Sequence, residues 1–553
     1  AVAMFEAAAR GELEVLWIVC TNPAMSMPDQ NRIREALARC PFVIVQEAFA
    51  DTETAALADL LLPAASWGEK DGTVTNSERR ISRVRAAVRP AGAARPDWTI
   101  AAQVAQRLEA HPAMGRLGAP PAFSYPDAEA VWNEHRATTV GRDLDIGGLS
   151  WAMLDAAGPQ QWPLPEGAAT GRARLYEDGV FPTPNGRARF TASPVQPVAE
   201  PTDARHPFSL TTGRLRDQWH GMSRTGTVPR LFAHGPEPVL QMHPQDMARR
   251  QLKAGDLAEL RSRRGSIVLP VQPDEGLQPL QLHAAMHWGA RFVGGHDREG
   301  RSRGGVNTLT HGAICPQSRQ PELKHAAVHV ARAELAWRLH AVAWIPSQPD
   351  DAGVRARRRL VALFERFPHA RCVPVAASAD GSGIESAQGL TGLSFHAAAA
   401  QAPGDLDALM AEVESALGLE RGTVLRYADA RRGERRVLRL VGPPDAARLE
   451  AMAACGPGDA SGWWLPYWRS GHVLGPASDV ARALLQPDAR ALQALSGGEA
   501  FGQRPGAREV CSCVGVSEAR IRETLSRVQG TPAHRFGALQ TELACGTQCG
   551  SCK

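Results

Sequence analysis

Two apolar runs joined by one short helix fill the first forty-five residues and limit what this chain can fold into. Leu13 to Val19 (LEVLWIV) and Pro41 to Val45 (PFVIV) are continuous rather than alternating. That is the pattern of strands buried on both faces of a parallel sheet. Between them lie a loop, Cys20 to Met27, then Pro28 where a first helical turn tolerates it, then a helix over Gln30 to Ala38. Such a unit closes with a right-handed crossover, so both strands run parallel in one sheet. Sheets of this kind bind ligands beyond the carboxyl ends of their strands. Those ends are Thr21-Asn22 and Gln46-Glu47. No glycine-rich phosphate fingerprint follows either strand, which disfavours an ordinary nicotinamide dehydrogenase.

A short helix over Thr54 to Ala58 and a third buried strand, Leu60 to Pro63, continue the sheet. Asp71-Gly72 signals a turn into a two-stranded excursion over Val74 to Val84, and Asp97 is placed to cap a helix over Trp98 to Leu108. Judged by charge alone, Glu69, Lys70, Glu78-Arg79-Arg80 and Asp97 read as solvated surface. Residues 111–206 read as a Pro-, Gly- and Ala-rich connector. Its exception is RLYEDGVFPTPNGRARF (174–190), which predicts two short strands about Asp178-Gly179 and Asn185-Gly186.

From Phe208 the period becomes that of a β-domain. Its first strand runs into TTGRLRDQWHGMSRTG (211–226), which packs Thr211, Thr212, Gly213, Arg214, His220, Ser223 and Arg224 together. Hydroxyls, a close-approach glycine, guanidiniums and an imidazole suit a phosphate or a polar heterocycle, and equally suit a polar loop. A helix over Pro244 to Leu252, a hairpin about Arg264-Gly265 and a strand Leu280 to Met286 follow, then a glycine-rich bend with Asn307 and Lys324. His283 and His287 are four apart, but on a strand that spacing does not aim two imidazoles at one metal.

Whole segments then carry a resemblance. NPAMSMPD, VIVQEAF, ETAALADLLLP, WGEKDGTVTNSERR and ARPDW occur in order within residues 22–98, and TGR…WH with N-x-L-T…Q-P-E-x-K within 207–332. Together they resemble the molybdopterin oxidoreductase family. The resemblance implies that Asn22, Gln46, Glu47, Lys70, Asp97, Thr212, Gly213, Arg214, His220, Asn307 and Lys324 contact a molybdenum bis(molybdopterin guanine dinucleotide). Cys315-Pro316 stands where the family leads one to expect Asp-Pro, so no role for that acid is carried over.

Residues 336–495 predict a small α/β accessory domain. LHAVAWIP, HARCVPVAAS and RRVLRLVG read as strands, LDALMAEVESALG and SDVARALL as helices. A flexible tether over Ser496 to Gly506 leads to the tail. There Cys511-Ser-Cys513 and Cys549-Gly-Ser-Cys552 offer four thiolates, the ligand set of an iron–sulfur cluster or of zinc. Ser517 reads as the N-cap of a helix between the two pairs, and Cys545 as a bystander. Cys-x-Cys followed by Cys-x-x-Cys resembles the small [2Fe–2S] domain of the bacterioferritin-associated ferredoxins. By that resemblance Cys511, Cys513, Cys549 and Cys552 hold the cluster.

The expected architecture is therefore multi-domain, α/β and β. It comprises a partial parallel-sheet dinucleotide-cofactor domain (1–110), a connector (111–206), a dinucleotide-binding β-barrel (207–335), an accessory α/β domain (336–495) and a small helical [2Fe–2S] domain (508–553). A formal net charge of +4 over 553 residues implies neither nucleic acid nor an anionic membrane surface as partner. No apolar run is long enough to span a bilayer, and the remaining cysteines are scattered singly, as suits a reducing cytoplasm.

The two resemblances combined are those of the assimilatory nitrate reductases. They imply reduction of nitrate to nitrite, with electrons from a ferredoxin, a flavodoxin or an NADH-dependent reductase subunit. They also imply an N-terminal part with a molybdenum ligand and a [4Fe–4S] Cys run, neither of which this chain contains. No catalytic side chain is assigned, and the chain alone is expected to be inactive. A formate dehydrogenase of the same family and a non-enzymatic iron–sulfur electron-transfer module are the alternatives.

Overall fold

The structure, a computed structural model, describes residues 1–114, 121–192, 194–346, 351–376, 389–457, 464–485, 509–511 and 516–547. Strands β1 (Val15–Val19), β2 (Phe42–Glu47) and β3 (Leu60–Pro63) form a parallel sheet in that order. Helices α1 (Val2–Ala9) and α3 (Gln30–Arg39) cover one face, burying Phe5, Ile33 and Leu37 against Leu16, Ile18, Val43 and Val45. The short α2 (Pro23–Ser26) starts at Pro23, so the helix-starting proline is Pro23 rather than Pro28.

The expectation of burial on both faces is corrected. Val15, Val19, Phe42 and Leu60 are 39–54% exposed, because the crossover helix covers only one side and β3 is an edge strand. The excursion is a hairpin of β4 (Gly72–Thr75) and β5 (Arg80–Val84). Helix α4 runs Asp97–Glu109 with Pro96 as N-cap, so Asp97 is the first helical residue and its carboxylate is free for other partners.

The connector is more ordered than its composition suggests. Helix α5 (Ala128–Ala137) is capped by Asp127 and α6 (Trp151–Ala157) by Ser150, and β6 (Gln160–Gln161) adds to β5. Ile81, Trp132, Leu149, Leu154 and Leu164 form a small core there. The two strands expected over 174–190 do not form. Gly179 and Gly186 do turn the chain at positive φ, but Phe190 is almost fully exposed, so the flanking residues have no surface to pack on.

Strands β7 (Phe208–Gly213), β8 (Leu240–Met242), β9 (Leu257–Arg261), β10 (Ser266–Pro273), β11 (Gln281–Ala285) and β13 (His325–Arg332) close into a six-stranded barrel in the order β10-β8-β11-β7-β13-β9. Phe208, Leu210, Leu260, Leu269, Leu282 and Val330 fill it, and α7 (Pro244–Arg249) lies between β8 and β9 in the chain. Strand β12 (Val293–Gly294) leaves the barrel segment to pair with His369–Val375 of the next unit.

That unit is an eight-stranded sheet, which adds β14 (Trp337–Pro346), β15 (His369–Val375), β16 (Leu390–Ala399), β17 (Thr423–Asp429), β18 (Glu434–Val441), β19 (Ala447–Pro457) and the short β20 (Val473–Gly475). Every pairing in it is antiparallel, so it is not built of parallel α/β units. Helices α8 (Ala352–Val361) and α9 (Leu406–Leu417) pack on one face against Trp337, Leu339 and Phe395. Helices α10 (Leu465–Ser470) and α11 (Ala477–Leu484) cover part of the other, where Trp344 stacks on Trp468.

In the tail a ribbon of Glu509–Cys511 and Val516–Ser517 precedes helices Glu518–Arg527 and Pro532–Leu543. Cys511 and Cys545 are both buried, in one cluster with Val516, so Cys545 is part of the tail's small core. Cys513, Cys549, Cys552 and the tether over 496–506 lie outside the described residues.

Candidate cofactor site

On the α/β side, three side chains meet on one carboxylate. Cys20 follows β1 in the left-handed region (φ 54°), a costly conformation for a residue with a Cβ, and its thiol faces Asp97 of α4. Asp97 accepts from Lys70 Nζ at 2.6 Å, Gln46 Nε2 at 2.8 Å and Cys20 Sγ at 3.4 Å. Burial alone would raise the Asp97 pKa, but the bonds from Lys70, Gln46 and Cys20 together hold it below the usual carboxylate value. The same surroundings push the Cys20 thiol up to about 11, first by burial and then by the Asp97 charge. Glu47 lies beside this group; burial raises its carboxyl although it accepts from the N–H groups of Ala48 and Phe49.

Asn22 is not part of that cluster. Its amide donates to Glu53 at 2.7 Å and its carbonyl accepts from the Thr54 N–H and hydroxyl, so its hydrogen bonds tie the first loop to the segment after β2. Asn307 plays a matching part from the barrel, where its buried amide donates to the carbonyls of Met25 and Ser26. Both asparagines therefore clamp the loop after β1, and Gly221 brings the barrel's long loop against Asn22 and Met25.

On the barrel side, the loop after β7 and the end of β11 gather positive charge. The buried Thr212 hydroxyl donates to the Leu323 carbonyl at 2.9 Å. Gly213 has no room for a side chain, since a Cβ would lie 2.6 Å from His283 Nε2. Exposed Arg214 lies over the Trp219 ring, and His220, at φ 37°, sets its ring edge-on to the same indole. The His220 carbonyl accepts from His287 Nδ1 at 2.6 Å, and Lys324, also exposed, reaches Met286 Sδ. Burial keeps His287 below its ordinary pKa, the bond to His220 opposes this, and Arg214, His220 and Lys324 reinforce the lowering. The result is a neutral imidazole facing two cations at a strand end, an arrangement that favours an anion.

Two buried polar atoms in these groups have no hydrogen-bonding partner: Gln46 Oε1 and His287 Nε2. Buried polar atoms are rarely left so, and each fits a site completed by a bound polar molecule. His287, Glu53, Thr54 and Cys20 were not expected from the sequence. His287 carried a signal in its place after a strand, and Glu53 and Thr54 open the ETAALADLLLP segment; nothing marked Cys20.

Residues 1–107 match the molybdopterin oxidoreductase family, and residues 208–327 match the molybdopterin dinucleotide binding domain, which begins and ends within β7 and β13. The chain carries a molybdopterin oxidoreductase domain and a molybdopterin dinucleotide binding domain. It is 35% identical to a nitrate reductase from Klebsiella oxytoca over 100% of this chain and 56% of that protein. It is 36% identical to an assimilatory nitrate reductase from Haloferax mediterranei, over 57% of this chain and 41% of that protein. It is also 34% identical to an F420-dependent formate dehydrogenase subunit alpha from Methanocaldococcus jannaschii, over 58% of this chain and 43% of that protein. The chain thus spans about half the length of these relatives. No helix among the described residues is long and apolar enough to cross a membrane.

Proposed function

We propose that this chain is part of a cytoplasmic assimilatory nitrate reductase that reduces nitrate to nitrite, with electrons entering through a [2Fe–2S] cluster on the tail. The observation that carries the reading is the extent of the match: the Klebsiella oxytoca nitrate reductase aligns over the whole chain, cysteine-bearing tail included. The formate dehydrogenase match covers 58% of the chain, which makes formate oxidation the second reading.

The residues fit the cofactor the family name implies. Asp97, Gln46 and Lys70 supply acceptor, amide and ammonium groups suited to a purine edge and ribose, with Glu47 beside them. Arg214 and Lys324 are placed to neutralise a diphosphate, Gly213 allows its close approach, and Thr212 and His220 shape the loop that presents them. Asn22 and Asn307 act as positioning residues that hold the two halves of the site together. When bound, the molybdenum–pterin group supplies the centre for oxygen-atom transfer; this chain's part is to bind, orient and electrically balance it. Cys511, Cys513, Cys549 and Cys552 hold the cluster, and a ferredoxin, a flavodoxin or an NADH-dependent reductase subunit delivers electrons to it.

The test is a pair of dye assays on the enzyme purified anaerobically from its natural source. Nitrite formation from nitrate with a reduced viologen, and no dye reduction by formate, is the expected result. Formate-dependent dye reduction without nitrate turnover would replace the first reading by the second.

A further inference from the structure

The accessory sheet has a basic end that the proposed nitrate chemistry does not use. Strand register places His340 opposite His396 and His396 opposite Arg371 in one row across β14, β16 and β15. The neighbouring row aligns Arg338, Ala398 and His369. Side chains alternate along a strand, and Trp337, Leu339, Ala370 and Phe395 face the core under α8 and α9, so both basic rows lie on the opposite face. Helices α10 and α11 cover the far end of that face. At this end the barrel approaches instead, with Leu257 and Val268 against Ala398.

Between barrel and sheet a cavity of about 550 Å³ remains, lined by His340, His369, His396, Arg338 and Arg371 from the sheet and by Asp256 and Pro270 from the barrel. That volume is typical of small-molecule sites. His369 is the telling residue. It is 2% exposed, Arg371, Arg338 and Arg303 stand near it, and neither ring nitrogen completes a hydrogen bond of good geometry with the protein, although the Val268 backbone lies close enough to act on it. Such an imidazole is unfavourable unless something in the cavity satisfies it.

The other groups define what that something is. His396 accepts from Arg371 at 3.3 Å and donates to the Ser394 hydroxyl at 3.1 Å, while the His340 ring lies 4.1 Å from its own. Of the acids, Asp256 pairs with Arg332 at 2.8 Å, Glu237 offsets part of the Arg371 charge by pairing with it at 2.6 Å, and Glu334 is exposed at the mouth. A metal is not the fit, because among the described residues no group of three or more His, Cys, Asp or Glu is arranged to hold one. What remains is a pocket of N–H donors and positive charge.

We infer that this cavity binds a small dianion, phosphate or a dicarboxylate, held by His369, His340 and the guanidiniums of the two rows at the junction of barrel and accessory sheet. Because β12 already links these units by pairing with β15, an anion there ties them together further.

The test is calorimetry and thermal unfolding of the 553-residue chain with phosphate, succinate, nitrate or chloride at matched ionic strength. Saturable heat and a saturable rise in unfolding midpoint are expected with phosphate or succinate. A phosphate-only response identifies an inorganic oxyanion, and a succinate-only response an organic acid. His369→Leu is expected to weaken binding at least ten-fold while the anion-free midpoint holds or rises, since the substitution removes a buried unsatisfied group. His340→Leu is the second variant should that one fail to fold. No saturable response beyond chloride, an equal response to nitrate, or full binding by both variants would overturn the inference.

Discussion

Asp97 decides the behaviour of the residues around it, and two expectations follow at this scale. Thiolate is the reactive form of cysteine, so reactivity follows pKa as well as exposure. Cys20 is exposed but pushed up to about 11, whereas hydrogen bonds from Ser318 hold the less exposed Cys315 below the ordinary thiol value. Iodoacetamide at pH 7.5, followed by peptide mass mapping, should therefore label Cys315 at least about ten-fold faster than Cys20; faster labelling of Cys20 would contradict the Asp97 cluster. The second expectation concerns Lys70→Ala. The pair it breaks is nearly one-third exposed, so the cost in stability is about 1 kcal/mol or less. The Asp97 pKa is depressed, so its contribution is present above the unfolded carboxyl value and is lost as pH falls through the folded one. Acid unfolding curves below pH 4 should consequently flatten in the variant, while retention of the guanine dinucleotide pterin, read by extraction and chromatography, falls sharply. Little of this was legible in sequence. Charge alone placed Lys70 and Asp97 on solvated surface, and only family resemblance singled them out; their pairing spans 27 positions and leaves no local trace.

At the scale of elements, one carboxylate joins three parts of the chain. Asp51, from the loop after β2, pairs with Arg291 of the barrel segment and at 3.3 Å with Arg357 of α8, whose guanidinium also lies over the Phe292 ring. Burial, then the nearby Arg291, lowers the Arg357 pKa to about 10. Removing the carboxylate leaves two buried cations without their shared counter-ion, so Asp51→Ala should cost about 3–5 kcal/mol in urea unfolding. Arg357→Met leaves the Asp51–Arg291 pair whole and should cost less than half as much; equal losses would show that the triad is not the joint. The accessory sheet shows what patterning reveals. Strands β14, β15 and β18 and helices α9 and α11 were readable from apolar runs and helical periodicity. Strands β16 and β19 were missed because their alanine-rich stretches, FHAAAA and EAMAAC, lack β-branched residues, and α8 because four arginines obscure its apolar stripe. The strands expected over 174–190 failed for the opposite reason: turn signals were present without a surface to pack against.

At the scale of the whole molecule, family and cofactor class were legible because motifs from both halves of the site kept their order. The one-sided burial of the parallel sheet was not, since an apolar run looks the same whether one face or two are covered. Val15 and Phe42 are paired in register on the exposed face, so Val15→Lys should shift the unfolding midpoint of this chain little, about 0.5 kcal/mol or less, and reduce its aggregation in light scattering. The central claim is that electrons held by iron on the tail reach nitrate through a pterin-bound metal gripped by the sheet and the barrel. Freeze-quench EPR of the anaerobically purified native enzyme tests it most directly. After reduction by dithionite and removal of the reductant, a [2Fe–2S] signal that disappears on adding nitrate is the predicted result. Bound zinc with no reducible iron pair, or an iron signal indifferent to nitrate, would contradict it.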